Sequence, residues 1–217
     1  EKVFDELEER NLLSNAVVVV LADHGEEFWD HGSRGHANGL YDEVIRVPLL
    51  ISVPGQTRRV DVSGPVSVVD LAPTILELAS SFTPLSFEGR SLAPLLSQHG
   101  TGLSAWWKQL SAPQQLAPRP VFIELIQHEV LRRRRHERAV VIGDYKIIAD
   151  VDGSHHFFDR MDDGKELAGD ALPDQAREAL LRELANFENR MPRGQKAERV
   201  PVDDNMKGQL KALGYLY

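Results

Sequence analysis

The chain has 217 residues, 42% of them hydrophobic, which is enough to bury a substantial core and argues against a disordered tail. A formal charge of −8 argues against a general binder of nucleic acid or anionic membrane, since phosphate polymers need a basic surface, and no apolar run is long enough to span a bilayer. Zero cysteine excludes disulfides and thiolate metal sites and leaves the redox compartment open.

Residues 2–13 carry apolar positions at Val3, Phe4, Leu7, Leu12 and Leu13, the spacing of an amphipathic helix. Residues 16–22 (AVVVVLA) then form an apolar run without polar alternation, which predicts a strand covered on both faces, as in parallel sheets flanked by helices. Asp23 and His24 sit at its carboxyl end, the edge where α/β sheets bind ligands, and Gly25 allows a sharp turn that lets both face the crevice. A carboxylate beside a neutral imidazole suits a divalent cation, and zinc, manganese or iron more than oxygen-loving calcium. Asp followed closely by Gly is also a common turn or helix cap. The neighbouring residues tilt the balance: His24, His31 and His36 lie within a glycine-rich, carboxylate-rich stretch with too little apolar surface for a core segment. Glu26 and Glu27 read either as acceptors orienting His24 or as dipole compensation at a helix start.

Further along, residues 47–53 (VPLLISV) predict a second buried strand, and residues 71–80 a helix with Asp70 as N-cap and Leu71, Ile75 and Leu78 on one face. Residues 97–120, with Gly100, Gly102, Pro113, Pro118 and Pro120, read as a connection holding one short helix around Trp106 and Trp107. After it the apolar period becomes two. Residues 121–126, 138–143, 145–151 and 155–159 predict a small antiparallel sheet with turns at Gly143-Asp144 and Asp152-Gly153-Ser154. Residues 173–188 predict an amphipathic helix with Ala176, Leu180, Leu184 and Phe187 inward, followed by a polar tail and a last short helix ending at Leu213-Gly214. The expected organisation is therefore an α/β portion over 1–97, a linker over 98–120, and a sheet-plus-helix subdomain over 121–217.

Residues 22–55 (ADHGEEFWDHGSRGHANGLYDEVIRVPLLISVPG) resemble the second-half signature of the sulfatase family in the alkaline phosphatase superfamily: Asp-His-Gly, a Gly/His-rich loop, Leu-Tyr-Asp-Glu, then Arg-Val-Pro before an apolar strand. SVVDLAPTILELAS (67–80), FEGRSLAPLL (87–96), GDYKII (143–148), FFDR (157–160) and LKALGYL (210–216) resemble further family segments. The resemblance implies an α/β fold, part of an alkaline-phosphatase-like three-layer sandwich followed by the small antiparallel sheet. It also implies a metal-dependent sulfuric ester hydrolase.

The resemblance further implies that Asp23 and His24 are metal ligands for one calcium, manganese or zinc ion, and that His36 contacts the transferred group or leaving oxygen as general acid or oxyanion binder. For His31, contact with an anionic ester substrate and hydrogen bonding within the loop stand side by side. Arg46 reads as structural, with an anion clamp as the alternative. The family nucleophile, a formylglycine from a Cys/Ser-x-Pro-x-Arg motif, has no counterpart in this sequence, so we expect these residues to be the carboxyl-terminal portion of a longer enzyme, inactive alone. Asp-His in place of the Asp-Asn of many arylsulfatases keeps phosphoester hydrolases and phosphoethanolamine transferases open, and a degenerate, non-catalytic binding module is the reading of a different class. The basic run Arg132 to Arg135 with Arg138 reads as a solvated turn, alternatively as a rim attracting a polyanion. The compartment expectation leans to the extracytoplasmic side.

Overall fold

The computed structural model describes residues 2–36, 38–56, 59–79, 87–96, 114–115, 118–127, 135–150, 152–161, 165–166, 172–190, 204 and 207–208. The chain divides into two units, Glu1–Asn186 and Phe187–Tyr217.

The first unit opens with helix α1 (Lys2–Glu9), shorter than its apolar spacing predicts. Asn11 adopts φ 54°, the left-handed conformation that ends helices, and Val3 and Phe4 stay exposed. Strand β1 (Val18–Leu21) follows, then the two-residue strands β2 (Glu27–Phe28) and β3 (Arg34–Gly35), helix α2 (Asp42–Ile45) and strand β4 (Leu49–Ser52). β1 pairs with β4 antiparallel, Val18 opposite Ser52 and Leu21 opposite Leu49, because the β2–β3 ribbon and α2 between them reverse the chain. This corrects the expectation of a parallel sheet at β1; among the described residues Val20 and Leu21 are exposed, as is Leu50 across from them.

Strand β5 (Val62–Ser63) pairs in parallel with β6 (Gln114–Gln115), so part of the expected linker joins a sheet. Between them a 3-10 turn (Val68–Asp70) leads into helix α3 (Leu71–Leu78), and Ala93–Leu96 forms helix α4. Asp70 is the N-cap of α3, as expected, but its side chain makes no cap hydrogen bond to that helix. Ser67 is the N-cap of a capping box whose third residue is Asp70, because the chain enters the helix one 3-10 turn early. Asp70 is fully buried and accepts hydrogen bonds from the Ser67 and Arg90 amides and from the Arg119 guanidinium. Thr74 then ties the same helix to Leu92, whose amide donates to its hydroxyl at 2.8 Å.

The antiparallel sheet expected from the period-two pattern is present: β7 (Pro120–Gln127), β8 (Arg135–Ile142), β9 (Tyr145–Ala149) and β10 (His155–Asp159), in the order β10-β9-β8-β7. Gly143, at φ 59°, closes the β8–β9 turn. The two faces bury different things. Val140, Ile147, Ala149 and Phe157 pack with Leu180 and Leu184 of helix α5 (Asp174–Arg190), each fully buried leucine contributing about 1.5–3 kcal/mol of hydrophobic stabilisation. On the other face, Ala139, Ile148 and Phe158 pack against Leu40, with Tyr41 and Ile45 alongside. That face therefore carries the loop that begins at Asp23.

In the second unit the described residues show an exposed Lys207–Asp204 ion pair at 2.9 Å. Trp106, Trp107, Arg132 to Arg134 and the short helix expected before Leu213-Gly214 lie outside the described residues. Among the described residues no helix is long and apolar enough to cross a membrane.

Candidate active site

Asp23 follows β1 by one residue, and its side chain is 75% exposed. Its Oδ1 accepts the His24 amide at 3.0 Å, which leaves Oδ2 pointing outward, 3.8 Å from His24 Nε2. His24 Nδ1 lies 2.8 Å from the Gly25 carbonyl oxygen. A carbonyl only accepts, so the hydrogen sits on Nδ1 and the Nε2 lone pair is left for a metal, the usual way a ligating imidazole is oriented. Two donors that each bind an ion at about 2.0–2.2 Å stand at most about 4.4 Å apart, so the Asp23–His24 pair fits one cation.

Gly25 serves the site differently from the expected sharp turn. Its φ is not in the left-handed region; instead, a Cβ there would overlap the Glu43 carbonyl oxygen and lie 3.0 Å from the Glu43 carbonyl carbon. The Gly25 amide donates to the Val44 carbonyl at 2.7 Å. Only a glycine lets the backbone after His24 come this close to α2.

The β2–β3 ribbon brings the second histidine in. Phe28 pairs with Arg34 and Glu27 with Gly35, and one step outward Glu26 Oε2 faces His36 Nδ1 at 3.3 Å. His36 stacks on His24 with ring centroids 4.0 Å apart. His24, Glu26 and His36 each offer a ligand atom, all within 4.8 Å of one another. Asp23 is not in that group, and Glu26 is a member the sequence offered only as an orienting acceptor or as dipole compensation.

Glu27 does not begin a helix. It is buried in β2, accepts the His31 amide at 3.0 Å and the Ser33 amide at 3.0 Å, and also takes the Ser33 hydroxyl. Burial pushes its carboxyl up, but these donors outweigh burial and hold it below the ordinary carboxylate value.

His31 stands apart from His24 and His36. Its ring lies flat on Tyr41, centroids 3.5 Å apart, with Nδ1 2.5 Å from Glu43 Oε1 and Nε2 3.2 Å from the Glu166 carbonyl oxygen. Both ring nitrogens are engaged within the protein, so the geometry favours the loop-internal alternative over substrate contact. Glu27, His31 and Glu43 also form a group of possible metal donors. Their donor atoms are taken up by one another, by Ser33 and by Glu166.

Beneath this loop lies an ionic network. Lys146, fully buried on β9, reaches Glu166 Oε2 at 2.6 Å, Asp42 Oδ1 at 3.1 Å and the Leu40 carbonyl at 3.0 Å. Arg160 grips the same Asp42 with Nη2 at 2.7 Å and Nε at 2.9 Å from Oδ2. For Asp42, burial works upward, while the Arg160 hydrogen bonds and the Lys146 and Arg160 charges outweigh it and hold the carboxyl below the usual range. For Glu166, burial dominates and pushes the carboxyl up against the pull of Lys146. Arg46 is exposed and caps α2 with its backbone amide on the Asp42 carbonyl. Arg138 pairs across the sheet with Glu124 at 3.1 Å.

With this geometry in view, the sulfatase family model matches residues 1–81. Residues 1–81 belong to the sulfatase family. The multifunctional alkaline phosphatase superfamily protein PehA of Trinickia caryophylli is 32% identical over 188 residues, covering 85% of this chain and 35% of that protein. Arylsulfatase K of Canis lupus familiaris is 36% identical over 92 residues, or 42% of this chain and 17% of the relative. The chain thus spans about a third or less of both relatives. Among solved structures, BT4656 in complex with its substrate D-glucosamine-2-N,6-O-disulfate aligns with a TM-score of 0.70 at 19% identity, over 90% of this chain and 39% of that one. The family fold is the α/β, alkaline-phosphatase-like architecture with the small antiparallel sheet and helix.

Proposed function

We propose that this chain supplies the metal-binding and leaving-group-contacting part of a sulfuric ester hydrolase site. The observation that carries the reading is the placement of three groups: an outward Asp23 carboxylate, a His24 imidazole with Nε2 left open, and a His36 ring stacked on it. Asp23 and His24 would hold a divalent cation, while Glu26 is grouped with His24 and His36 and not with Asp23. Such an ion, when bound, supplies Lewis-acid stabilisation of the charge that develops on sulfuryl oxygens.

The chain's own residues do the rest. Gly25 keeps the His24 backbone against α2, and its carbonyl fixes the His24 tautomer. Glu26 orients His36 through Nδ1, so that Nε2 of that ring is the atom available to give a proton to the departing oxygen or to bind a terminal one. His31, held by Glu43 and Glu166, is a positioning residue in this reading. The nucleophile lies outside these 217 residues, since the sequence has neither cysteine nor a Ser- or Thr-x-Pro-x-Arg motif. A phosphoester hydrolase is the second reading, favoured by the match to 85% of the chain of PehA, which is named for the alkaline phosphatase superfamily.

The test is a parallel assay of the intact protein on an aryl sulfate, an aryl phosphate and a phosphonate monoester with and without chelator. Chelator-sensitive turnover with the highest kcat/KM on the sulfate is expected. A preference for either phosphorus ester establishes the second reading, and no turnover of any of them leaves a binding module. The 217-residue chain by itself should turn over none of the three.

A further inference from the structure

Four charged side chains far apart in sequence meet under α2, and the chemistry proposed at Asp23, His24 and His36 uses none of them. Lys146 and Arg160 bring two positive charges, Asp42 and Glu166 two negative ones. Such a balance is what a buried ionic cluster needs, because an uncompensated charge there is strongly destabilising. The cluster's contacts are directed at backbone as well as at charge. Glu166 Oε2 accepts the Asp42 amide at 2.8 Å, satisfying one of the free N–H groups at the start of α2, and Lys146 Nζ donates to the Leu40 carbonyl just before it. The Glu166 backbone carbonyl also takes His31 Nε2, and Glu166 itself sits at φ 50°, an unfavourable conformation for its residue type that the surrounding bonds sustain.

The far side of α2 carries the consequence. The Val44 carbonyl receives the Gly25 amide, and the Glu43 carbonyl occupies the space where a Gly25 side chain would be. Gly25 is bonded to His24 and holds its ring through its own carbonyl. A displacement of α2 is thereby a displacement of His24. We propose that the buried Lys146–Glu166 pair is a positioning device for the metal end of the site, acting through α2 on Gly25 and His24. The inference rests on the proposed role of His24. It adds two positioning residues that lie 122 and 142 positions further along the chain (146 − 24 and 166 − 24).

The test compares the protein with its Lys146→Met/Glu166→Gln variant, which removes one charge of each sign, by site-resolved hydrogen exchange and by manganese titration calorimetry. The variant should exchange the Gly25 amide at least about tenfold faster while the Ile147 amide in β9 keeps its protection, and its manganese Kd should rise about 10–100-fold, the usual cost of losing support behind a ligand. A folded variant with Gly25 protection and manganese Kd both unchanged overturns the proposal and leaves the pair a stability element only. Should the double variant fail to fold, Glu166→Gln alone decides: both carboxylate oxygens lie against the Lys146 ammonium, Oε1 at 2.5 Å and Oε2 at 2.6 Å, so the glutamine NH2 faces that ammonium in either orientation, the same two shifts are expected in smaller measure, and their absence is equally fatal. If the unaltered protein takes up none of manganese, calcium and zinc, the reading of His24 as a ligand falls, and the exchange of Gly25 still decides whether the pair positions this segment.

Discussion

Gly25→Ala is the sharpest single perturbation of this arrangement. The added methyl would overlap the Glu43 carbonyl oxygen and lie 3.0 Å from the Glu43 carbonyl carbon and 3.3 Å from Val44 Cα, all backbone atoms of a helix that is itself pinned by Glu166 and Lys146. Nothing flexible is available to yield, so the segment after β1 must move off α2 by about 1 Å. Overpacking of this kind costs about 1–3 kcal/mol. The Gly25–Val44 hydrogen bond, 2.7 Å long, would be lost or stretched for roughly another 1 kcal/mol. A total of about 2–4 kcal/mol corresponds to a fall in Tm of roughly 5–15 °C for a chain of this size. His24 moves with Gly25, and a displacement of about 1 Å at a reacting centre can cost on the order of 100-fold in rate. Denaturant titration and turnover of the intact protein measure the two effects. Gly208→Ala, where nothing among the described residues lies within 4 Å of the added methyl, is the control and should stay within about 0.5 kcal/mol. A Gly25→Ala protein with the stability and activity of its parent would show that the close approach to α2 is not needed.

Three other outcomes follow from the same geometry. Asp23→Ala should abolish bound metal by elemental analysis while shifting metal-free stability by no more than about 0.5 kcal/mol, because the side chain is exposed; full metal occupancy would remove Asp23 from the ligand set. His36→Ala should lower kcat by about 100-fold or more with a much smaller change in metal affinity, and an equal loss of both would make His36 a ligand, as its grouping with His24 and Glu26 permits. The third concerns pH. Glu27 has its carboxyl held down in the folded state, so its contribution is complete above the ordinary value of 4.5 and is lost as pH falls through the lower folded value. Glu27→Gln should therefore be less stable than its parent at neutral pH and show a shallower loss toward acid, and parallel acid limbs in denaturation curves would refute that account.

The sheet was legible in the sequence because one period of two runs through each strand, and the structure moves the ends of β7, β8 and β9 by only a few residues where pairing register sets their limits. The first ribbon was not. Glu27–Phe28 and Arg34–Gly35 are two residues each, too short to show a period, so Glu26-Glu27 resembled the acidic start of a helix. Asp70 was legible as the N-cap position of α3, but its side chain caps one turn earlier, because the 3-10 entry carries the Ser-x-x-Asp pattern of a capping box. The parallel pairing of β1 was overread for a related reason, since an apolar run without alternation does not say which way its neighbour runs.

At the site, the histidines announced themselves by type and by closeness in sequence, and the ribbon then sorted them: the 26–36 pairing turns His36 toward His24, while His31, at the ribbon's turn, is drawn down onto Tyr41 and Glu43. Nothing local could have shown the network below. Lys146 meets Asp42 across 104 positions and Glu166 meets the Asp42 amide across 124. The strand alternation does fix which face Lys146 takes, the same as Ile148 and opposite to Ile147. Period alone cannot say that this face is covered by the Leu40–Ile45 segment, nor that the polar position on it is therefore buried with partners of opposite charge. Three motifs that sequence comparison treats as separate, Leu-Tyr-Asp-Glu, Gly-Asp-Tyr-Lys and Phe-Phe-Asp-Arg, contribute Asp42, Lys146 and Arg160 to one cluster. Their joint presence is accounted for physically by that cluster, since leaving out either cation leaves one carboxylate charge uncompensated, and leaving out Asp42 leaves Arg160 without its carboxylate while Lys146 keeps Glu166.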